Sequence, residues 1–346
     1  MSPTALQSQE QLAQHMLVTL CSLESGSGQE ARLLPALLPM LQELGAQVEV
    51  REPAPGRCNV LATWGTPRIL FSTHLDTVPP FLPVRVDNGC VFARGACDAK
   101  GQMVAQFLAI QRLLAEGQEG FAWLGVCGEE TDSLGAADAL AWKPRFATCR
   151  VLINGEPTEL KLATGQRGVD HLRLSCTGRA AHSGSPHLGR SATLELLDWV
   201  QGIRQLPCPE DPYLGPEVWN LGLLQGGNAV NVVPAEAEAH LHVRTVPGST
   251  FRQRLEALCP AHGQVSVQLS EPPDTYPEVP GFRHAAMPFG SDAPQLRELV
   301  PDRTVVLAGP GSITVAHTDA EHLALTDLIA GIDLNRRLAL HFLEQP

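Results

Sequence analysis

Three short apolar runs restrict what this chain can fold into: RILFST at 68–73, FAWLGVC at 121–127 and VLIN at 151–154. None shows in–out alternation, which is the pattern of strands covered on both faces in an α/β sheet. Between the first two, Met103, Phe107, Ile110 and Leu114 share one face of a predicted helix over 99–116. Residues 9–45 predict two helices, 49–64 extended structure, and 304–307 a further short strand. Asp87-Asn88-Gly89 predicts a hairpin, because both central positions of its turn tolerate positive φ. Leu325, Leu328, Ile329 and Ile332 mark a closing helix.

After Thr164 the pattern changes. An alternating segment at 168–177 and helical spacing at 190–206 are followed by strand-like segments at 218–225 and 236–245. A helix at 250–258 and a strand at 264–269 complete the series, and the Pro-rich 271–280 reads as a return linker. The expected architecture is an α/β fold whose main domain, with a mostly parallel sheet, comprises residues 1–163 and 272–346. A smaller α+β, ferredoxin-like domain at 164–271 interrupts it.

Composition narrows the function. Hydrophobic residues are 44% and charged ones 18%, which is ordinary globular usage. A formal net charge of -12 argues against nonspecific attraction to nucleic acid or an anionic membrane. The nine cysteines, odd in number and never spaced CxxC, fit buried reduced thiols better than a disulfide framework or a thiolate metal site. The opening MSPTALQSQEQLAQHM has no basic segment followed by an apolar core. No apolar run reaches the ~20 residues needed to span a bilayer. A soluble, cytoplasmic protein is expected.

Polar chemistry gathers where the apolar runs stop. His74 and Asp76 follow the first run, Glu129 and Glu130 the second, and Glu156 the third. Asp98 lies in the glycine-flanked RGACDAKG ahead of the predicted helix, and His317 follows the glycine-rich 309–311. Singly, each has a structural alternative: a hydrogen-bonded strand-end histidine, an N-cap for Asp98, a solvated helix start for the glutamate pair. As a set they stand at the carboxyl ends of strands, where open α/β sheets bind ligands. Two histidines and three carboxylates, one of them bridging, suit two borderline-to-hard divalent cations.

In that order, HLDTVP, RGACDAKG, GEE, NGEP and AHTDAEH resemble the M20 family of metallopeptidases and deacylases over nearly the whole chain. The resemblance implies a zinc-hydrolase-type main domain with two divalent metal ions, zinc by default, cobalt or manganese able to substitute. It implies that His74, Asp98 and Glu156 bind one metal, and that Asp98, Glu130 and His317 bind the other, with Asp98 bridging. Asp76 would orient His74. A hydroxide bridging the metals would attack an amide carbonyl, with Glu129 as general acid/base.

In the inserted domain, GRAAHSG resembles the family motif whose histidine, here His182, stabilises the oxyanion across a homodimer interface. That makes the insert a dimerisation domain. GGNAVNVVP and the strand after it resemble the motifs that bring Asn231 and Arg244 to substrate, the arginine pairing with its carboxylate. Ser291 and Asp292 in FGSDA resemble a further substrate-side element, and the loop around Gly311 offers backbone N–H groups to the same carboxylate. Without the family, His182 reads as a loop histidine, Arg244 as a strand-end charge and the 309–312 loop as a plain turn.

The activity implied first is hydrolysis of an N-acyl amino acid, similar to the acetylornithine and acetylcitrulline deacetylases of amino-acid biosynthesis. A dipeptidase or carboxypeptidase with the same site is the nearest alternative. A lysine-biosynthesis hydrolase releasing an amino acid from a carrier protein is another. A catalytically silent binding protein is disfavoured by the complete ligand set. The expected partners are a small N-acyl amino acid or short peptide and a second copy of the chain, with no nucleic acid and no membrane.

Overall fold

The computed structural model describes residues 3–344. Met1, Ser2, Gln345 and Pro346, the outermost residues of the expected main domain, lie outside the described residues. The chain divides into two compact units, Met1–Thr164 with Tyr276–Ala285 and Ser291–Pro346, and Gly165–Thr275 with Ala286–Gly290. The second unit thus runs a few residues beyond the expected 271 and takes back a short piece at 286–290.

The first unit opens with α1 (Pro3–Cys21), α2 (Leu34–Glu43), β1 (Gln47–Ala54), β2 (Arg57–Trp64), β3 (Ile69–His74), α3 (Lys100–Ala115), β4 (Phe121–Val126) and β5 (Val151–Asn154). The second contains β6 (Gly168–Thr177), α4 (Ala192–Ile203), β7 (Val218–Gly226), β8 (Glu236–Thr245), α5 (Phe251–Ala257) and β9 (Gly263–Glu271). The first unit then closes with β10 (Val305–Leu307) and α6 (Leu325–Glu344).

The main sheet has the order β1-β2-β4-β3-β5-β10. β4, β3, β5 and β10 run parallel, while β1 and β2 join antiparallel at one edge. β3, β4 and β5 are buried along their whole length, as their unbroken apolar runs require. α3 packs against α1, α6 and β3, so it is buried well beyond one stripe. Its buried Gln106 is satisfied from both ends, accepting from Trp123 Nε1 at 2.9 Å and donating to the Ser72 carbonyl at 2.9 Å. The extended segment expected at 49–64 is a hairpin, with Ala54 opposite Arg57 and Gly56 at φ 78°.

The second unit is a fully antiparallel sheet ordered β7-β8-β6-β9. Its strand–helix–strand–strand–helix–strand sequence is the ferredoxin-like arrangement. Leu172, Leu174, Leu241 and Val243 pack against Leu196, Trp199 and Phe251 of the two helices. The alternation of β6 and β8 turns His171, Arg173, Glu238, His240, His242 and Arg244 away from that core. β7 is an edge strand, and its Val218, Leu223 and Leu224 are exposed.

Candidate metal centre

β3 and β5 are parallel neighbours with Ser72 opposite Asn154, so His74 and Glu156 emerge side by side where the strands stop. Ser72 Oγ bonds Asn154 Oδ1 at 2.7 Å and Thr73 Oγ1 donates to the Gly155 carbonyl at 2.9 Å, which pins the two strand ends. Asp98 arrives from the loop before α3. It does not cap that helix, whose N-cap position is Ala99 with no side-chain cap. Instead its Oδ1 lies 2.9 Å from His74 Nε2 and its Oδ2 3.4 Å from His317 Nε2. Glu130 Oε1 lies 3.0 Å from the same His317 nitrogen.

These side chains form two triads, His74–Asp98–Glu156 and Asp98–Glu130–His317, within each of which the donor atoms lie no more than 4.8 Å apart. Asp98 belongs to both. The first triad is buried, whereas the second opens to solvent through His317. His317 sits at φ 63°, in the left-handed region that a non-glycine residue adopts at a cost.

Asp76 binds this arrangement together. Its carbonyl lies 2.9 Å and its Oδ1 3.5 Å from His74 Nδ1. The carboxylate also accepts from the Glu129 and Glu130 backbone N–H groups at 3.1 and 3.2 Å and from Ser27 Oγ at 2.7 Å. One side chain therefore orients both the histidine and the glutamate loop. Glu129, half-buried, belongs to neither triad.

Too many carboxylates crowd this space for the imidazoles present. Burial, with the charges of Glu156, Glu130 and Asp292, pushes the Glu129 carboxyl well above its ordinary value despite the pull of His74. Burial likewise raises Glu130 and Glu156, and nearby carboxylates add to it. Hydrogen bonds to Asp98 and Glu130 push His317 up to about 10 against the effect of burial. Burial opposes protonation of His74 too, but its bonds to Asp76 and Asp98 outweigh it. Cations in place of those protons relieve the crowding, and imidazole with carboxylate is a donor set that fits zinc and its neighbours.

The remaining expected residues divide by unit. Gly311 has φ 82°, and a Cβ there would come within 2.6 Å of Cys97 Sγ. Its carbonyl accepts from Glu159 N at 2.8 Å, and the neighbouring Gly309 N–H is taken by Thr158 Oγ1 at 2.9 Å. Ser291 Oγ accepts from Ala293 N at 3.3 Å, and Asp292 is buried within reach of the glutamates' charge. His182, Asn231 and Arg244 belong to the second unit. There His182 is exposed, its Nδ1 accepting from Gly184 N at 3.0 Å, and it bridges to Val232 beside the exposed Asn231. Arg244 is half-buried on β8.

Sequence reasoning missed Arg94 and Glu321, although both lie inside the motifs RGACDAKG and AHTDAEH. They form a buried ion pair at 2.6 Å, and Glu321 also receives the Asp98 backbone N–H at 3.2 Å. The signal available was a charged residue in each motif with no solvent-side role; their separation along the chain concealed the pairing.

Known proteins resemble this chain in sequence and in fold. The model of peptidase family M20/M25/M40 matches residues 70–341. A peptidase M20 domain-containing protein of Schizosaccharomyces pombe is 33% identical over 335 residues, covering 93% of this chain and 83% of that protein. A probable carboxypeptidase of Aspergillus terreus is 36% identical over 325 residues, covering 83% of this chain and 75% of that protein. Among solved structures, human carnosine dipeptidase 1 shares the fold with a TM-score of 0.80 at 16% identity, covering 99% of both chains. The dipeptidase Dug1p of Saccharomyces cerevisiae also gives 0.80, at 13% identity over 98% of this chain and 97% of its own.

Proposed function

Since the chain belongs to peptidase family M20/M25/M40 and is a metallohydrolase acting on amide bonds, we propose that it releases an amino acid with a free α-carboxylate from the acyl or aminoacyl group on its nitrogen. The observation that carries this reading is the pair of triads sharing Asp98, with Glu129 beside them and outside both. Relatives named as probable carboxypeptidases support a dipeptide or peptide C-terminus as substrate. The motifs similar to acetylornithine and acetylcitrulline deacetylases support an N-acetyl amino acid, and either substrate yields the same kind of product.

Two divalent cations, held by His74, Asp98 and Glu156 and by Asp98, Glu130 and His317, would supply Lewis-acid activation of water and of the scissile carbonyl. Glu129 takes the proton of the attacking water and delivers it to the leaving amine. A carboxyl pushed up by burial and by neighbouring carboxylates is suited to hold that proton between the two steps. Asp76 keeps His74 and the glutamate loop aligned through its four contacts. By the motifs they resemble, Arg244 would pair with a substrate carboxylate as a planar fork, and Asn231, Ser291, Asp292 and Gly311 are each further candidates for substrate contact. His182 donates to the developing oxyanion from a partner subunit. The exposed apolar side chains of the edge strand β7 and of Leu194 and Leu197 on α4 support a homodimer built on the inserted unit. Nine free cysteines, all but Cys208 at least partly covered, favour a reducing, cytoplasmic setting. No helix among the described residues is long and apolar enough to cross a membrane.

The test is amide hydrolysis over acetylornithine, acetylcitrulline, acetylmethionine, succinyl-diaminopimelate and a set of dipeptides, before and after chelation and zinc add-back. We expect metal-restored turnover that drops ~10²–10⁴-fold in Glu129→Ala while metal content stays the same. Wild-type rates in Glu129→Ala would remove the proton-transfer assignment, and absence of metal uptake by the wild-type chain would remove the whole reading.

A further inference from the structure

We propose that the buried Arg94–Glu321 pair is the positioning device of the second triad: it fixes the loop carrying Asp98 and ties it to the loop carrying His317. The inference rests on the metal reading above and assigns work to two residues outside it.

The Glu321 side chain is 0% exposed and that of Arg94 2%. Its Oε2 accepts from Arg94 Nη1 at 2.6 Å. Its Oε1 accepts three backbone N–H groups of one short loop, from Gly95 at 2.9 Å, Cys97 at 3.2 Å and Asp98 at 3.2 Å. Arg94 in turn donates to the carbonyls of Thr318 at 3.2 Å and Pro80 at 3.3 Å. Backbone bonds close the lacing, from Ala93 N to the Glu321 carbonyl at 3.2 Å and from Glu321 N to the Thr318 carbonyl at 3.3 Å. His317 and Asp98 are thus the ends of two loops held to one carboxylate.

Stability alone does not explain such a pair. A buried ion pair is often matched or surpassed by apolar side chains of similar volume, because desolvation cancels its attraction. Three N–H groups converging on one oxygen do something an apolar replacement cannot: they fix the peptide planes that lead into Asp98. The two triads differ in their need for this. His74 and Glu156 project from adjacent strands of the sheet, whose ladder holds them. Glu130 and His317 both come from loops, and His317 is exposed. Loss of the pair therefore falls chiefly on the second triad.

Glu321→Gln preserves volume but turns an amide N–H toward either Arg94 or the backbone donors, so donor faces donor in both orientations. The apo chain is titrated with Co(II) and followed by visible absorption, with zinc retained after dialysis against a chelator measured by elemental analysis. Wild type should take up two cations. Glu321→Gln should bind one as before and the second ~10–100-fold more weakly, the range for partners that orient metal ligands. Its cobalt absorption should change, and kcat should fall with KM unmoved. Arg94→Lys keeps the charge but loses the carbonyl contacts, and should fall between. Should apo Glu321→Gln show no cooperative melt, Arg94→Lys carries the test. Two cations bound with wild-type affinity and an unchanged cobalt spectrum, or equal weakening of both, overturn the inference. A wild-type chain that takes up no cation overturns the metal reading first, and this inference with it.

Discussion

The Asp76 carboxylate accepts two backbone N–H groups and a hydroxyl, and its Oδ1 lies 3.5 Å from His74 Nδ1. Asp76→Ala should therefore disturb His74 and the glutamate loop together. We expect zinc affinity to fall ~10–100-fold, which calorimetric titration of the apo variant would show; an unchanged zinc isotherm would assign Asp76 no orienting part. At this scale the sequence is most legible where a residue stands at a strand end. His74 and Glu156 follow apolar runs, so the order of residues alone reveals both their position and their company. Arg94 and Glu321 stay hidden, because a buried pair joined across more than two hundred residues leaves no local period or spacing. Asp98 is readable as ligand or as cap; the helix takes no side-chain cap, and the carboxylate turns to two imidazoles instead.

Among the elements, β6 and β8 carry a histidine cluster on the face turned from the helices. His171 Nε2 lies 3.1 Å from His240 Nδ1, and the His171 and His242 rings stack at 6.5 Å. Burial, then the charge of His240, holds His171 below the ordinary histidine value. The fold thus favours neutral His171, so its contribution is present above the unfolded pKa of ~6.5 and is lost as pH falls through the lower folded value. Melting temperature should drop on acidification below about pH 6.5, and His171→Asn should drop less; parallel curves for the two proteins would contradict the assignment. Helices with one clear stripe and strands with clean alternation are legible as elements. The hairpin at Pro55-Gly56 is not, because extended residues on both sides of the turn read as one continuous segment.

For the whole molecule, the insert matters as a second compact unit with its own core of Leu172, Leu241, Trp199 and Phe251. The exposed Leu194 at 64% and Leu223 at 54% are unusual on such a surface. If a second copy covers them, Leu194→Glu should halve the mass measured by sedimentation equilibrium without lowering the melting temperature of the chain. Should His182 act across that interface, turnover should fall with the mass; a fully active monomer would separate the histidine from any role in trans. The short return at 286–290 is beyond sequence reading, since so few residues display no period. Interruption of the main sheet also sets the order of assembly during synthesis. β10 pairs Val305–Leu307 with Leu152–Asn154, so β5 leaves the ribosome and waits for its neighbour while the insert between them is made. The insert has all of β6 to β9 in hand before β10 exists, and can form its sheet first. His317 and Glu321 emerge later still, which means that a chain stalled just after β10 would hold a finished insert and all six strands of its main sheet yet lack the last donor of its second triad.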